Sequence, residues 1–205
     1  PSCYNAALVV EKEGFYQDEN IISTNEEADI SSVVEPIYPL NIEVKVLDNN
    51  NARSLQPTEQ AIFTFEEKNR EYTTSIGSPG NDKVSLIVGE YEITSQLVVN
   101  NDPPFTIPAQ SVKVCHDAPR EGALGILGLR EKKCTTQQFD KVELSQVISG
   151  GSKIRWSALR SPLASATSIT LYVVRSPAPQ SIQDIGNVEK SLQQNAQKTR
   201  EPTLE

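Results

Sequence analysis

The sequence predicts an all-β protein, organised as a β-sandwich with a second, small β unit and a C-terminal helix. Three observations lead to this fold class. Short segments alternate apolar and polar residues with the period of two that is typical of half-buried strands. Clusters of Asn, Asp, Gly and Pro separate these segments about every eight to twelve residues, as in sandwiches. Two cysteines, Cys115 and Cys134, bracket a loop between two strand-like segments, which indicates an oxidised, exported β-protein.

Most of the predicted strands lie before Cys115. The clearest is 41–47, where Ile42, Val44 and Val46 alternate with polar or charged residues, so these three side chains would point to one face. Turn-forming residues follow it at 48–51. The other strands predicted in this region are 7–10, 61–65, 71–74, 84–88 and 91–99.

Residues 13–39 interrupt the pattern with an acidic, weakly periodic stretch, in which we expect one short strand at 14–16. A loop of this length tends to be functional or mobile. The simplest interpretation is a solvated, mobile loop, and the alternative is a loop that binds a partner or a cation. The sequence lacks the D-x-D-x-D-G spacing of a calcium loop, which argues against the cation. The carboxylates that would form such a site are Asp18, Glu19, Glu26, Glu27 and Asp29.

The remaining strands are predicted at 139–144 and 168–174. Between them the glycine pair Gly150-Gly151 is typical of a tight turn, so we expect a hairpin there. Trp156 is the only tryptophan of the chain, and we expect it to anchor a core rather than to bind a ligand.

One main helix is predicted within 181–197. Ser181 can cap its first turn, with Asp184 three residues further on. Gly186 weakens the helix by roughly 1 kcal/mol relative to alanine. Its apolar residues form a stripe that we expect to pack on its own domain, although a connector helix towards further sequence is the alternative. The stripe consists of Ile182, Ile185, Val188, Leu192 and Ala196.

These signals divide the chain into four parts. We expect a β-sandwich domain at 1–115, an apolar loop bracketed by cysteines at 116–133, a second β unit at 134–176, and a helix with a tail at 177–205. The chain contains no methionine, so we expect it to be processed or cut from a longer protein.

The three cysteines leave the pairing open. A bridge between Cys115 and Cys134 would enclose 18 residues and remove on the order of 3 kcal/mol of unfolded-state entropy. This pairing is favoured, but Cys3 could pair with Cys115 or with a cysteine outside this sequence. A zinc site is not supported, because His116 is adjacent to Cys115 and no C-x-x-C spacing exists.

An apolar, glycine-spaced segment at 122–129 lies between the two cysteines. We predict that it forms an interaction surface for a neighbouring subunit, a partner protein or a membrane surface, because exposed apolar patches mark such sites. The alternative is a loop that folds back as part of the core. The predicted interaction residues are Leu124, Ile126, Leu127 and Leu129.

The charge is acidic overall and unevenly spread. A net charge of -8 argues against nucleic-acid binding, which needs a basic face. Residues 1–35 contain eight acids and one base, whereas residues 110–160 contain nine bases and five acids. This distribution is either ordinary solvated surface or a basis for head-to-tail self-association. No apolar run approaches the roughly 20 residues that span a bilayer, so no transmembrane segment is expected.

Residues with catalytic potential are few. His116 is the only histidine, and its neighbour Asp117 is too close in sequence to orient it as an acid does in a triad. The sequence has neither a G-x-S-x-G nucleophile turn nor a phosphate-binding glycine loop. We therefore predict no catalytic residues, no metal and no cofactor.

The segment 42–99 resembles a carboxypeptidase regulatory-like, or prealbumin-like, β-sandwich module. The resemblance lies in the alternating strand 42–48, the aromatic strand 61–65 and the ending in which an apolar strand is followed by Gly89, one residue, Tyr91 and a further alternating strand. The polar stretch between the second and third of these elements departs from the family. The resemblance implies an Ig-like or prealbumin-like sandwich of the kind found in secreted and surface proteins, generally without catalytic residues.

We therefore expect a non-enzymatic structural or adhesive module of an exported cell-surface protein, located outside the cell or at its surface. Its expected partner is another protein or a second copy of itself. The alternative is an envelope-associated accessory module that binds a ligand through its loops, and an enzyme is the third possibility. Carboxylates converging near Trp156 would favour the enzyme, whereas an exposed tip at 124–129 would favour the interaction protein.

Overall fold

The computed structural model describes residues 5–23, 29–49, 51–119 and 130–205. Strands dominate these residues, and the helices are few and short. The predicted all-β fold class is therefore confirmed.

The first strands of the chain form two small pairs. β1 (Ala6–Val10) pairs with β3 (Asp18–Ile22) as an antiparallel hairpin, which we call the N-terminal ribbon. β2 (Phe15–Tyr16) lies in the connection of this hairpin and pairs with β4 (Glu35–Pro36). The short strand predicted near Phe15 is confirmed.

Eleven further strands follow, and most of them form two sheets. One sheet has the strand order β13-β10-β7-β8, and the other has the order β15-β14-β5-β6, with β9 also pairing with β5. The strands are β5 (Tyr38–Asp48), β6 (Asn51–Arg53), β7 (Glu59–Glu67), β8 (Thr73–Ser78), β9 (Lys83–Leu86), β10 (Gly89–Ile107), β11 (Gln110–Pro119), β12 (Arg130–Phe139), β13 (Val142–Ala158), β14 (Ser168–Val174) and β15 (Thr203–Leu204).

The two sheets enclose a single apolar core. Phe63 on β7 and Tyr91 on β10 come from one sheet, and Val46 on β5 and Leu171 on β14 come from the other; all four are at most 1% exposed. Trp156 belongs to the same core and is 7% exposed, so its predicted role as a core anchor is confirmed. Burying each large apolar side chain stabilises the fold by about 1.5–3 kcal/mol, so this interior holds the sandwich together.

Residues of the predicted second β unit complete these same two sheets. β13 pairs with β10 from Gly89↔Ala158 to Ile107↔Val142. β14 runs parallel to β5 and is hydrogen-bonded to it along its whole length. The predicted boundary between domain 1–115 and a separate unit 134–176 is therefore corrected: both segments belong to one sandwich. Local periodicity identified the strands but carried no information about their distant partners.

The glycine pair Gly150-Gly151 lies inside β13, so the hairpin predicted there is wrong. Two residues of β13 oppose Leu97 of β10 at this point, which makes the irregularity a β-bulge. Both glycines have positive φ, +139° and +132°. A Cβ on Gly150 would collide with the carbonyl oxygen of Val174, and one on Gly151 with that of Ser95, so only glycine permits this close packing.

The C-terminal part is helical but divided. The helices are α1 (Arg160–Ser165), which was not predicted, α2 (Ile182–Gly186) and α3 (Val188–Asn195), followed by a 3₁₀ turn. The predicted cap is confirmed, because the Asp184 backbone N–H donates to the Ser181 hydroxyl at 3.1 Å.

The predicted single helix is interrupted at Asn187, directly after Gly186. Leu192 of α3 is buried, but Ile185 is 41% exposed, so only part of the predicted stripe packs on the domain. No helix in the described part of the chain is long and apolar enough to cross a membrane.

Candidate interaction surfaces

A two-stranded ribbon leaves one end of the sandwich. Its pairing keeps one register from Phe105↔Leu144, where β10 and β13 are still paired, to Pro119↔Arg130 at the ends of β11 and β12. We call β11 and β12 the arm. Each of its strands has 10 residues, which at about 3.3 Å per residue gives a length of about 30 Å.

A disulfide crosses the middle of the arm. Cys115 and Cys134 are direct register partners, 4.0 Å apart between Cα atoms, so the predicted pairing is confirmed. Cys3 lies outside the described residues. A two-stranded ribbon without a core is marginally stable in water. The covalent link therefore holds the register that packing holds elsewhere in the molecule.

The arm exposes side chains on both of its faces. Every side chain on the face that carries the disulfide is exposed, including Lys113, Arg130 and Lys132. On the other face Val112 is half-buried, and Val114 is 45% exposed. Folded strands normally bury at least one face, whereas this ribbon is exposed on both faces around Cys115.

The predicted interaction residues lie outside the described part of the chain. Leu124, Ile126, Leu127 and Leu129 belong to the segment that connects the end of β11 to the start of β12. Their role as an interaction surface stays a prediction.

A second projecting feature is attached to the sandwich through its own anchor. The Tyr16 ring packs edge-on against Tyr72, with ring centroids 5.4 Å apart. Glu35 forms an ion pair with Arg160 at 2.7 Å and lies 4.0 Å from Arg70. We call the described residues within 5–37, together with Leu159 and Arg160, the N-terminal pole.

The N-terminal pole and the arm lie at opposite ends of the sandwich. Arg160 follows the end of β13, and that end pairs with Gly89 at the beginning of β10. The arm continues from the far end of β10, beyond Val99. The ten steps from Gly89 to Val99 correspond to about 34 Å of strand, so one copy keeps the two features well apart.

Exposed apolar side chains concentrate at the N-terminal pole. Among the described residues, seven large hydrophobic side chains are exposed; one is Val114 on the arm and another is Ile185 on α2. Of the remaining five, Val9 and Ile21 lie on the same face of the N-terminal ribbon, as the β1–β3 register shows. The five at the pole are Val9, Ile21, Ile30, Val33 and Leu159.

The N-terminal pole is also acidic. Hydrogen bonds from Ser32 at 2.6 Å and from Asn20 at 3.0 Å lower the pKa of the Asp18 carboxyl group. Of the carboxylates predicted as a cation site, Glu26 and Glu27 lie outside the described residues. Within the described ranges, no three His, Cys, Asp or Glu side chains are grouped to hold a metal ion. The exposed carboxylates are Glu11, Glu13, Glu19 and Asp29.

A buried ion cluster lies at the end of the sandwich from which the arm departs. Both oxygens of Glu59 accept hydrogen bonds from Arg53 at 2.7 Å, and Arg175 donates a further one at 3.1 Å. The Arg53 hydrogen bonds lower the pKa of Glu59, and its burial opposes this. The cluster joins β6 and the end of β14 to β7, so it ties the two sheets together.

Sequence reasoning missed this cluster, although one signal was available. Glu59 shares its strand parity with Ala61, Phe63 and Phe65, which are all buried in the core. A carboxylate on the inward face of a strand must find hydrogen-bond donors, because burying an unpaired charge is costly. Its partner Arg175 lies 116 positions away and could not be read from spacing.

The described residues with catalytic potential are not arranged as a triad. His116 lies on the arm and is exposed. Asp117 points to the opposite face, because successive side chains of a strand alternate. Trp156 packs near Tyr91, with ring centroids 6.1 Å apart, and belongs to the apolar core rather than to a cleft.

The N-terminal pole also contains a shallow cleft of about 350 Å³, lined by Tyr16, Glu19 and Glu35 among others. Glu35, one of its charged groups, is already paired with arginine.

Comparison with protein families, with curated proteins and with solved structures finds no match for this chain. The resemblance of residues 42–99 to prealbumin-like modules therefore stays a prediction.

Proposed function

We propose that this protein is a non-enzymatic structural or adhesive module of an exported cell-surface protein, and that it acts through the arm. The single observation that carries the proposal is the disulfide-linked ribbon with both faces exposed. Such an element contributes little to its own domain, because it covers no core.

Two physical arguments support a contact role for the arm. A stable ribbon that exposes both faces offers unpaired strand edges and side chains to another molecule, as in recognition by strand addition. The disulfide fits an oxidising compartment, such as the exterior of a cell, where such bonds persist. Localisation outside the cell or at its surface is part of the proposal.

The second candidate is an envelope-associated accessory module that binds a ligand, and the cleft near Glu35 is the observation in its favour. Binding there would compete with the Arg160 ion pair at 2.7 Å. Breaking an ion pair that is already made reduces the gain from any charged ligand. We therefore prefer the contact role.

The test uses Leu124→Ser combined with Leu127→Ser. We expect lost association at an unchanged melting temperature, because the loop serves a contact rather than the core. Association is measured in two ways: sedimentation velocity of the purified protein, and binding of fluorescently labelled protein to cells that carry the parent protein. Ile185→Ser is the matched control, because Ile185 is an exposed apolar residue on α2 and lies outside the arm.

The opposite result would be a large fall in melting temperature with association intact. That outcome would mean that the segment 120–129 belongs to the core of its own domain, and a contact made through this segment at the end of the arm would be abandoned. Ligand-dependent stabilisation that Glu35→Gln abolishes would instead support the accessory-module candidate.

A further inference from the structure

We propose that the N-terminal pole is the docking surface for the arm of a second copy of this chain. This inference rests on the proposed contact role of the arm and adds the identity of its partner. Charge, apolar surface and position support it independently.

The charges of the two surfaces are complementary. The face of the arm that carries the disulfide has three exposed basic side chains, Lys113, Arg130 and Lys132. Its one acidic side chain is Asp117. The pole carries four exposed carboxylates, Glu11, Glu13, Glu19 and Asp29, against two exposed bases, Lys12 and Arg160, and Arg160 is already paired with Glu35. Opposite potentials steer two surfaces together and suppress pairing between like surfaces.

The pole also carries an apolar surface that nothing in the described part of the chain covers. Val9 is 45% exposed and Ile21 is 65% exposed, and Glu19 lies between them on the same face of the N-terminal ribbon. This face therefore combines apolar contact area with an acidic group. Val114, also 45% exposed, lies on the opposite face of the arm from Lys113, Arg130 and Lys132, so the arm would dock through its basic face.

The positions of the two surfaces require a second copy. The arm leaves the end of β10 that is remote from Gly89, whereas the pole is attached through Arg160, which closely follows the register partner of Gly89. About 34 Å of strand separates these ends. Two different surfaces that meet between copies form a heterologous contact, and such contacts extend into rings or filaments.

The experiment reverses the charge of each surface in the full chain. The arm-reversed variant carries Arg130→Glu and Lys132→Glu, and the pole-reversed variant carries Glu11→Lys and Glu19→Lys. All four side chains are exposed, so the melting temperature should stay unchanged. Sedimentation velocity over a concentration series, at low and high salt, gives the association constant.

We expect each reversed variant to associate at least about tenfold more weakly than the original chain, because like charges then meet across the contact. A third variant that combines all four substitutions should recover most of the association, since both surfaces have exchanged sign. Association of the original chain should weaken at high salt. Lys190→Glu, an exposed reversal on α3, is the control and should change nothing.

Three results would overturn the inference. The combined variant could remain dissociated; the pole-reversed variant could associate normally while the arm-reversed one does not; or the original chain could stay monomeric at every concentration. In the second case the arm still acts as a contact element. In the third case, binding of labelled protein to cells decides whether the proposed function survives without self-docking.

Discussion

β10 and β11 follow each other along the chain, and each pairs with an antiparallel strand. The exposure of their side chains nevertheless differs completely. In β10, Tyr91, Ile93 and Leu97 are buried at 1%, 3% and 0% exposure, respectively. In β11, the residues around Cys115 are exposed on both faces. The hydrogen-bonded ladder is of the same antiparallel kind in both regions.

The difference follows from the side chains that each region offers. β10 alternates apolar and polar residues, so one of its faces can cover a core. In the arm, β11 offers only two large apolar side chains, Val112 and Val114, on one face, and the facing strand β12 reads REKKCTTQQF, so the arm has no continuous apolar face. The chain therefore uses packing where it has an apolar face and a covalent bond where it has none. Four variants test this division.

The largest loss of stability is expected for Phe63→Ala in the centre of β7. Phe63 is 1% exposed, and removing its ring should cost about 3–5 kcal/mol, because the surrounding core collapses only in part. Chemical denaturation measures the free energy of unfolding. Phe63→Leu keeps most of the volume and should lose much less. Equal losses for both variants would contradict tight packing at this position.

Glu59→Gln should come next, with a loss of about 3 kcal/mol, because two arginines would face a neutral amide in a buried site. The pKa of Glu59 is lowered in the folded state. Its contribution to stability is therefore complete above the unfolded-state pKa of about 4.3 and disappears as the pH falls through the lower folded-state value.

The variant should accordingly lose less stability on acidification than the original chain. Denaturation curves recorded across the acidic range check this. Glu66→Gln is the control, because Glu66 lies on the same strand β7 but its side chain is exposed. A pH profile that Glu59→Gln leaves unchanged would show that other carboxylates dominate acid unfolding.

Replacing both cysteines of the arm, Cys115→Ser with Cys134→Ser, should lower the stability of the sandwich by less than about 1 kcal/mol, because the arm covers no core. Local opening of the arm should become easier by up to about 3 kcal/mol. Limited proteolysis and hydrogen exchange report the arm, and thermal melting reports the sandwich. A large fall in melting temperature with unchanged proteolysis would reverse this assignment.

The smallest effect is expected for Val114→Ala on the arm, below about 0.5 kcal/mol. Val46→Ala is the matched substitution in the core, where the side chain is 0% exposed and its loss should cost at least about 1 kcal/mol. Chemical denaturation of the two variants compares the same chemical change in both regions. Similar losses would mean that the arm is packed against the domain.

Local patterns were sufficient for many elements. The alternation of 41–47 predicted β5, and the aromatic run at 61–65 predicted β7. Ser181 was identified as a helix cap, and the spacing of Cys115 and Cys134 predicted their bond. Each of these features depends on neighbours in sequence or on a single pairing, so the sequence contains the information directly.

Features that depend on distant partners could not be read in this way. The sequence predicts a turn at Gly150-Gly151, but glycines in a strand are typical of a turn and of a bulge alike. The feature that requires glycine at 150 is the close approach of the Val174 carbonyl oxygen, which exists only in the folded protein. For residues 13–39, which form most of the N-terminal pole, the sequence predicts a solvated, mobile loop with one short strand. Its anchor through Tyr72 and Arg160 involves residues 56 and 125 positions from their partners Tyr16 and Glu35, respectively.

The parallel pairing of β5 with β14 governs the order in which the protein can fold. The register partners Glu43 and Thr170 are 127 positions apart. Contacts of such long range form slowly, because a large loop must close before they stabilise anything. During synthesis β5 therefore keeps one bare edge until β14 has left the ribosome. A chain that ends before Ser168 would expose this edge permanently, and we expect such truncated chains to aggregate rather than to fold.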